Sequence, residues 1–455
     1  MPRRMMAIGA VSFGTALVIL DGAIANVALP TIARDLRVPG SAVVAVVTIY
    51  QLILVMLLMP FAGVGERIGL KRLYQIGQFV FTVATLLCFF ANSLPFLLIA
   101  RAAQATGAAA VMGVASALIR AIYPPKQLGR GLAFNSVVAS SSAVLAPTLG
   151  GLLLGFAPWP WVFASALPFA AASLALGRAL PDLPTRDTPF DVLGGVLCAA
   201  TFGLVIGGLE SAVHGDSPVV SAAVVLAGLL VGILFVRRER DEPRPILPID
   251  LLGQPVIALS TIGGFAAFIG SMTLLLSLPF RLQHDYGLTP SQVGTMIAAW
   301  PMTMMVVAPL AGALSDRYPA GLLGGIGMVP AIIGLICMAF LPDHPQWIDI
   351  AWRMGLVGVG FGLFLSPNAR LIIGSAPKHR IAAAGGMTST IRLVGQTIGA
   401  TIVAALLAVG VPGYVPPLIS AALALIAGIC SVARLNPALR NPRGEADDVL
   451  PTALG

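Results

Sequence analysis

One carboxylate and three guanidiniums fall inside long apolar runs. Asp21 lies in "LDGAIANVALP", residues 20–30, and Arg101, Arg353 and Arg392 occupy three other such runs. A charged side chain at a bilayer centre costs about 2.5–3.5 kcal/mol on insertion scales, so one that is kept serves ion pairing, proton transfer or ligand binding. Asp21 precedes Pro30 by nine residues, about 13 Å along a helix rising 1.5 Å per residue. Desolvation opposes ionisation of a carboxylate and a nearby guanidinium favours it. A group balanced between the two can take up and release a proton as its surroundings change. Asp21 is therefore the candidate proton carrier and Arg101 its candidate partner. The alternatives are a purely structural Asp21 pair, and an Arg101 whose five donors cap exposed backbone carbonyls.

Other polar groups share these runs. Gln104 follows Arg101 by about one helical turn, and Arg392 and Gln396 stand four apart on one helix face. Asn26, Tyr50, Gln51, Asn135 and Asn368 complete the candidates for a substrate cavity. Tyr50 offers a stacking face and Gln51 an amide. The alternative for each amide, and for Gln75 and Gln78, is an interhelical hydrogen bond worth about 0.6 kcal/mol. Glu210 reads as an interfacial carboxylate.

Several chemistries lack their residues. Cys88, Cys198, Cys337 and Cys430 lie singly in apolar runs, and His214, His284, His344 and His379 fall in predicted loops. Neither set has metal-ligand or disulfide spacing, so no cofactor, metal or catalytic residue is expected. No G-x-x-x-x-G-K-[ST] phosphate loop is present, which leaves an ATP-driven pump unsupported. No TVGYG-like filter is present, which leaves a potassium channel unsupported.

The elements that must position these groups are membrane helices. Of 455 residues, 57% are hydrophobic and 10% charged, against about a quarter charged in soluble domains. Mean hydropathy is +0.93. The net charge of +8 is then assigned to loops facing anionic lipid, not to nucleic acid. Runs of about twenty apolar residues predict fourteen spans, the first near 5–29 and uncleaved, the fifth near 133–157. With both termini cytoplasmic, 21 of the 27 Lys and Arg fall on inner segments and only Arg34, Arg37 and Arg281 on outer ones. This bias sets the predicted orientation.

The chain also repeats. "GVGERIGLKR" (63–72) closes the second span and "GALSDRYPAG" (312–321) the tenth; Arg101 and Arg353 are 252 residues apart. So long a period predicts two homologous bundles, as in transporters built from parallel halves. The unmatched pair of spans, 190–210 and 217–236, is then an insertion. The predicted organisation is an all-α polytopic protein: a six-helix bundle over 1–182, two inserted helices and a linker over 183–245, a second six-helix bundle over 246–440, and a disordered tail over 441–455.

At these residues the chain resembles the major facilitator superfamily, in its fourteen-helix drug:proton antiporter branch. "LDGAIANVALP" resembles the branch's first-helix motif, with Ala23 for the usual Thr. "GERIGLKR" resembles the loop signature between helices two and three, with Glu66 for Asp. "RAAQATGAA" resembles the fourth-helix motif. "SAVLAPTLGG" (142–151) resembles the antiporter motif of helix five, with Ser142 and Ala146 for two Gly. "IRLVGQTIG" (391–399) resembles a thirteenth-helix pattern. The resemblance implies proton-coupled antiport by alternating access, exporting lipophilic, often cationic, drugs or biocides across the cell inner membrane. The expected partners are protons, a small-molecule substrate and the bilayer, for a monomer that binds no nucleic acid. It further implies that Pro147, Gly150 and Gly151 let the fifth span pack closely against the other half. Glu66, Arg67, Gly69, Lys71 and Arg72, with Asp316 and Arg317, would form a cytoplasmic latch between halves in the outward-facing state. A transporter of organic anions or metabolites stays open, because three intramembrane Arg face one clear carboxylate; so does a non-transporting receptor or scaffold.

Overall fold

The computed structural model describes residues 2–123, 128–183, 191–213, 217–241, 249–315, 317–376 and 381–436. Among them are α-helices and short 3-10 turns, and no strand. The first half holds α1 (Pro2–Leu36), a short α2 (Gly40–Val43) leading into α3 (Ala45–Ile68), α4 (Leu70–Phe89), α5 (Leu94–Ile122) and α6 (Leu128–Phe156). It ends with α7 (Pro160–Ala164) and α8 (Leu167–Leu176). Next come α9 (Val192–Val213) and α10 (Pro218–Asp241). The second half holds α11 (Pro255–His284), α12 (Pro290–Ile297) with α13 (Ala299–Leu314), α14 (Ala320–Ala339), α15 (Trp347–Gly374), α16 (Ile381–Val409) and α17 (Val415–Ala433).

Thirteen helices or joined pairs among the described residues are long and apolar enough to cross a membrane. The span expected near 133–157 lies in α6, which has 29 residues but is described only in part. Two boundaries depart from expectation for clear reasons. α1 runs through Pro30 to Leu36, because neighbouring helices in a membrane bundle re-satisfy the backbone that Pro frees. Between α3 and α4, Gly69 takes φ 101°, a conformation that a side chain disfavours, and the chain reverses there without a longer loop.

Packing explains which faces are apolar. One core lies mostly within the first half, around Leu17, Leu54, Phe81, Val111 and Leu118, and takes in Leu393 and Val394 of α16. Another lies within the second half, around Leu278, Leu335, Phe361 and Phe364. A third crosses between them: Leu20, Ile24, Ala28, Leu29 and Ile32 of α1 pack with Met272 and Leu276 of α11 and Ala400, Val403 and Ala404 of α16. This crossing core sits toward the charge-poor end, where the α1–α2 and α11–α12 turns lie. There α6 meets α12 backbone to backbone. A Cβ on Gly151 would lie 2.7 Å from the Pro290 carbonyl oxygen and 3.0 Å from the Gly294 Cα. The charge-poor end is thus closed.

The inserted pair is not detached from this interface. α10 turns Val219, Leu226, Leu230 and Leu234 outward. α9 lies against both halves: the Met56 Cε of α3 approaches Gly203, and the Thr401 hydroxyl of α16 donates to Glu210 Oε1 at 2.8 Å. At its other end Asp191 accepts the Gly194 amide at 2.9 Å and both Arg238 Nη2 and Nε, at 2.9 and 3.2 Å. That fork ties α9 to α10.

Candidate functional site

The intramembrane charges of the first half come together. Asp21 on α1 and Arg101 on α5 are both 0% exposed. Arg101 Nη1 donates to Asp21 Oδ2 at 2.6 Å and to Gln104 Oε1 at 2.6 Å, while Arg101 Nε reaches the Val46 carbonyl at 3.3 Å. Gln104 Nε2 donates to Asp21 Oδ1 at 3.0 Å and to the Thr85 hydroxyl at 2.8 Å. The Thr85 hydroxyl donates to the Phe81 carbonyl at 2.8 Å. The Cys88 thiol leans on Gln104 Oε1 at 3.8 Å. The guanidinium stacks over the Tyr50 ring at 4.2 Å and lies 5.3 Å from the Phe163 ring.

Helix geometry builds this group. Arg101 and Gln104 are three apart on α5, so both face α1. Thr85 and Cys88 repeat the spacing on α4. Charge-assisted bonds in a low-dielectric interior are strong, and a buried pair that loses one partner leaves an uncompensated charge, at a cost of about 3–5 kcal/mol. Arg101 Nη2 is the one buried donor of the group without a partner. Chemically, the group is a buried carboxyl bonded by one guanidinium and one amide. A proton added to Asp21 would release both.

Of the other expected residues, Tyr50 stays against Arg101 through its ring and the rest separate. Tyr50 donates to the Val18 carbonyl at 3.4 Å. The Gln51 amide approaches Met272 Sδ at 4.0 Å across the two halves. Gln51 Oε1, Asn26 Oδ1 and Asn135 Oδ1 have no partner. Asn368 joins a different group: its Nδ2 donates to the Ser260 carbonyl at 3.0 Å, and its Oδ1 accepts from Arg434 Nη1 at 2.6 Å. Arg392 Nη1 has a single long contact, to Gln396 Oε1 at 3.5 Å.

On the expected latch, Lys71 pairs with Asp182 at 2.9 Å, inside its own half. Glu66, Arg67, Arg72 and Arg317 enter no ion pair among the described residues, and Asp316 lies outside them. Pro147, Gly150 and Gly151 all lie at the closed end. The Pro147 carbonyl faces Gly294 of α12, and a Cβ on Gly150 would lie 2.9 Å from Ile24 Cγ1 of α1.

Some participants carried no sequence signal. Thr85 and Cys88 are ordinary in apolar helices. Arg281, counted as a loop charge, is buried in α11 and caps the Met338 and Ala339 carbonyls at 2.7 and 2.9 Å. Arg434, counted at the cytoplasmic edge, is buried on Asn368, Ser260 and Ser431. Arg353 caps the Cys337 carbonyl at 3.0 Å and also donates to the Asp349 carbonyl. No group of three or more metal-ligating side chains occurs among the described residues.

Comparison with known proteins agrees with this architecture. The uncharacterized transporter YebQ of Escherichia coli (strain K12) is 41% identical over 451 residues, covering 98% of each chain. The riboflavin transporter RibZ of Clostridioides difficile (strain 630) is 28% identical, over 86% of this chain and 85% of its own. The multidrug resistance protein Stp of Mycobacterium tuberculosis (strain CDC 1551 / Oshkosh) is 30% identical, over 91% of this chain and 78% of its own. The family model described as Major Facilitator Superfamily matches residues 11–196 and 260–454; the unmatched stretch between them holds α10 and most of α9. This chain is a multi-pass membrane transporter, not an enzyme, and belongs to the Major Facilitator Superfamily.

Proposed function

We propose that this transporter exports lipophilic small molecules in exchange for protons, by alternating access between two six-helix bundles over 1–182 and 246–440. The observation that carries the proposal is the Asp21–Arg101 pair at 2.6 Å, sealed from solvent on both sides. A bilayer protein keeps such a pair for function more often than for stability. Protonation of Asp21 would free Arg101 and Gln104 to take other partners, and so would change the relative energies of the two facing states. The motifs that resemble drug:proton antiporters and the name of the relative Stp support a drug-like cargo.

The proposed topology has fourteen spans, with α6 as the fifth and both termini in the cytoplasm of a cell whose inner membrane holds a monomer. The charge-poor end then faces outside, and the described structure is closed on that side. Among the described residues the latch cations have no partner across the halves, which fits this facing. A cationic cargo would have to compete with Arg101 for Asp21. The second reading, an organic anion or metabolite, is favoured by one observation, the lone guanidinium of Arg392, and by the name of the relative RibZ.

The test is Asp21→Asn in proteoliposomes with an imposed pH gradient. Asn keeps the size and can still accept from Arg101, but does not titrate. Proton-driven movement of ethidium or fluorescein should be lost, with expression and folding retained. Wild-type accumulation by the Asn variant would remove Asp21 from the coupling role.

A further inference from the structure

Six Arg side chains lie within or at the ends of the described spans, buried or half-buried. Arg4, at the start of α1, lies over the Tyr123 ring at 4.1 Å, and four others hold several polar partners each. Arg101 holds Asp21, Gln104 and a carbonyl. Arg281 and Arg353 cap the end of α14. Arg434 holds Asn368, Ser260 and Ser431. Arg392 differs. It stands near the middle of α16, half-buried, with Gln396 at 3.5 Å as its one polar contact. It forms no ion pair among the described residues. Glu210, the acid of the neighbouring α9, is bound at Thr401, nine residues and about 13 Å further along the helix.

The surroundings of Arg392 place it at the boundary between halves. Leu393 and Val394, the next two residues, belong to the first half's core with Tyr50, Leu54 and Val55 of α3. On its other flank α16 is pressed to α11, where a Cβ on Gly395 would lie 2.9 Å from Phe268 Cβ. Between these two covered faces runs a half-buried row at helical spacing: Gly385, Thr388, Ser389, Arg392 and Gln396. A Cβ on Gly385 would meet nothing within 4 Å, so the row borders open space. Thr388 and Ser389 spend their hydroxyl protons on carbonyls of their own helix, at 3.0 and 3.4 Å.

A guanidinium taken from water without a counter-ion is unfavourable. Its planar fork matches a carboxylate or sulfonate bidentately. The partly buried Phe265 and Phe268 of the adjoining α11 supply apolar surface for a ring system. We infer that Arg392, with the Gln396 amide beside it, is the anion-binding subsite of the transport cavity, and that the substrate is an amphipathic organic acid carrying a carboxylate or sulfonate on an aromatic body. This assignment deepens the transporter reading of the preceding section and rests on it.

The experiment uses the full-length chain in detergent, with fluorescein as the anionic probe and fluorescence polarisation as readout. Wild type should bind fluorescein saturably. Naphthoate should displace it, and naphthylmethylamine, the cation of the same ring, should not. Arg392→Gln should weaken fluorescein binding at least tenfold, and Arg392→Lys by less, because the charge stays while the fork is lost. If Arg392→Gln unfolds, the wild-type melting temperature decides: naphthoate should raise it and naphthylmethylamine should not. Absent saturable binding by wild type, equal affinity in Arg392→Gln, or equal competition by the amine each overturns the assignment. Proton-driven ethidium transport without fluorescein binding overturns the anion subsite and leaves the exporter standing. Fluorescein binding without proton-driven transport does the reverse.

Discussion

Gly151→Ala should pry open the closed end. The added methyl would lie 2.7 Å from the Pro290 carbonyl oxygen, 3.0 Å from the Gly294 Cα and 3.2 Å from the Ser291 Cα. All three are backbone atoms, so no rotamer change relieves the clash; α6 and α12 must separate. Overpacking of this kind costs about 1–3 kcal/mol. The cost falls on the state in which the two helices touch and is absent where they have parted. At about 1.4 kcal/mol per decade, the population open at the charge-poor end should rise about 5- to 150-fold. A single Cys at Leu276, buried in the core that crosses the halves, reports it once the four native Cys are replaced. Its reaction rate with a membrane-impermeant maleimide, added from the charge-poor side, should rise by the same factor. Gly155→Ala, one turn along α6, is the control: its methyl would sit 3.7 Å from Ser291 Cβ, in ordinary contact. An unchanged or slower rate in folded Gly151→Ala would refute the claim that this contact sets the facing.

Other predictions follow from single contacts. Asp191→Ala removes the carboxylate that holds Gly194 and Arg238 and should lower stability by about 1 kcal/mol, read as melting temperature in detergent. The Arg238 hydrogen bonds hold the Asp191 carboxyl below the usual carboxylate range. Its contribution is therefore present above pH ~4 and lost as pH falls through the folded value. The gap between wild type and Asp191→Ala should be constant from pH 5 to 8 and close on further acidification; a gap that widens in acid contradicts the sign. Topology is checked by Cys at Ser217 and at Arg237, both exposed at opposite ends of α10: the first should label from outside intact cells and the second only after permeabilisation.

How much was legible depended on contrast. Asp21, Arg101 and Gln104 stood out because a polar group in an apolar run is conspicuous, and helix spacing put the last two on one face. The repeat pointed to two halves, because matched motifs keep their offset whatever lies between. Counting loop charges failed to see Arg281 and Arg434 as buried. That count places a residue by its position in the chain, whereas a long side chain can fold back onto helix-end carbonyls. The setting of Glu210 was not legible either. Its partner Thr401 is 191 residues away, and nothing in either local sequence encodes how an inserted helix docks. Gly294 is one glycine among 50, and only its position opposite Gly151 gives it meaning.

The proposed coupling has a short physical route. Asp21, Arg101, Gln104 and Thr85 all belong to the first half, so a proton arriving there acts first within one bundle. The transfer to the other half must pass through a helix shared by both tasks, and α1 is that helix. Ile24, one turn from Asp21, is the residue a Cβ on Gly150 would strike at 2.9 Å. Val27, three residues before the span's outer Pro, accepts Gln283 of α11 at 3.5 Å through its carbonyl. Release of Arg101 and Gln104 removes the bonds that fix the rotation of α1 at Asp21. A rotation of α1 by even part of a turn would move Ile24 against α6 and Val27 against α11 together. The seal at the charge-poor end would thus sense the proton without any contact between Asp21 and the second half. In the Gly151→Ala background, with that seal already weakened, the Leu276 Cys should accordingly respond less to Asp21→Asn than it does in the wild-type background. Equal responses in both backgrounds would mean that the proton and the seal act independently, and that α1 does not connect them.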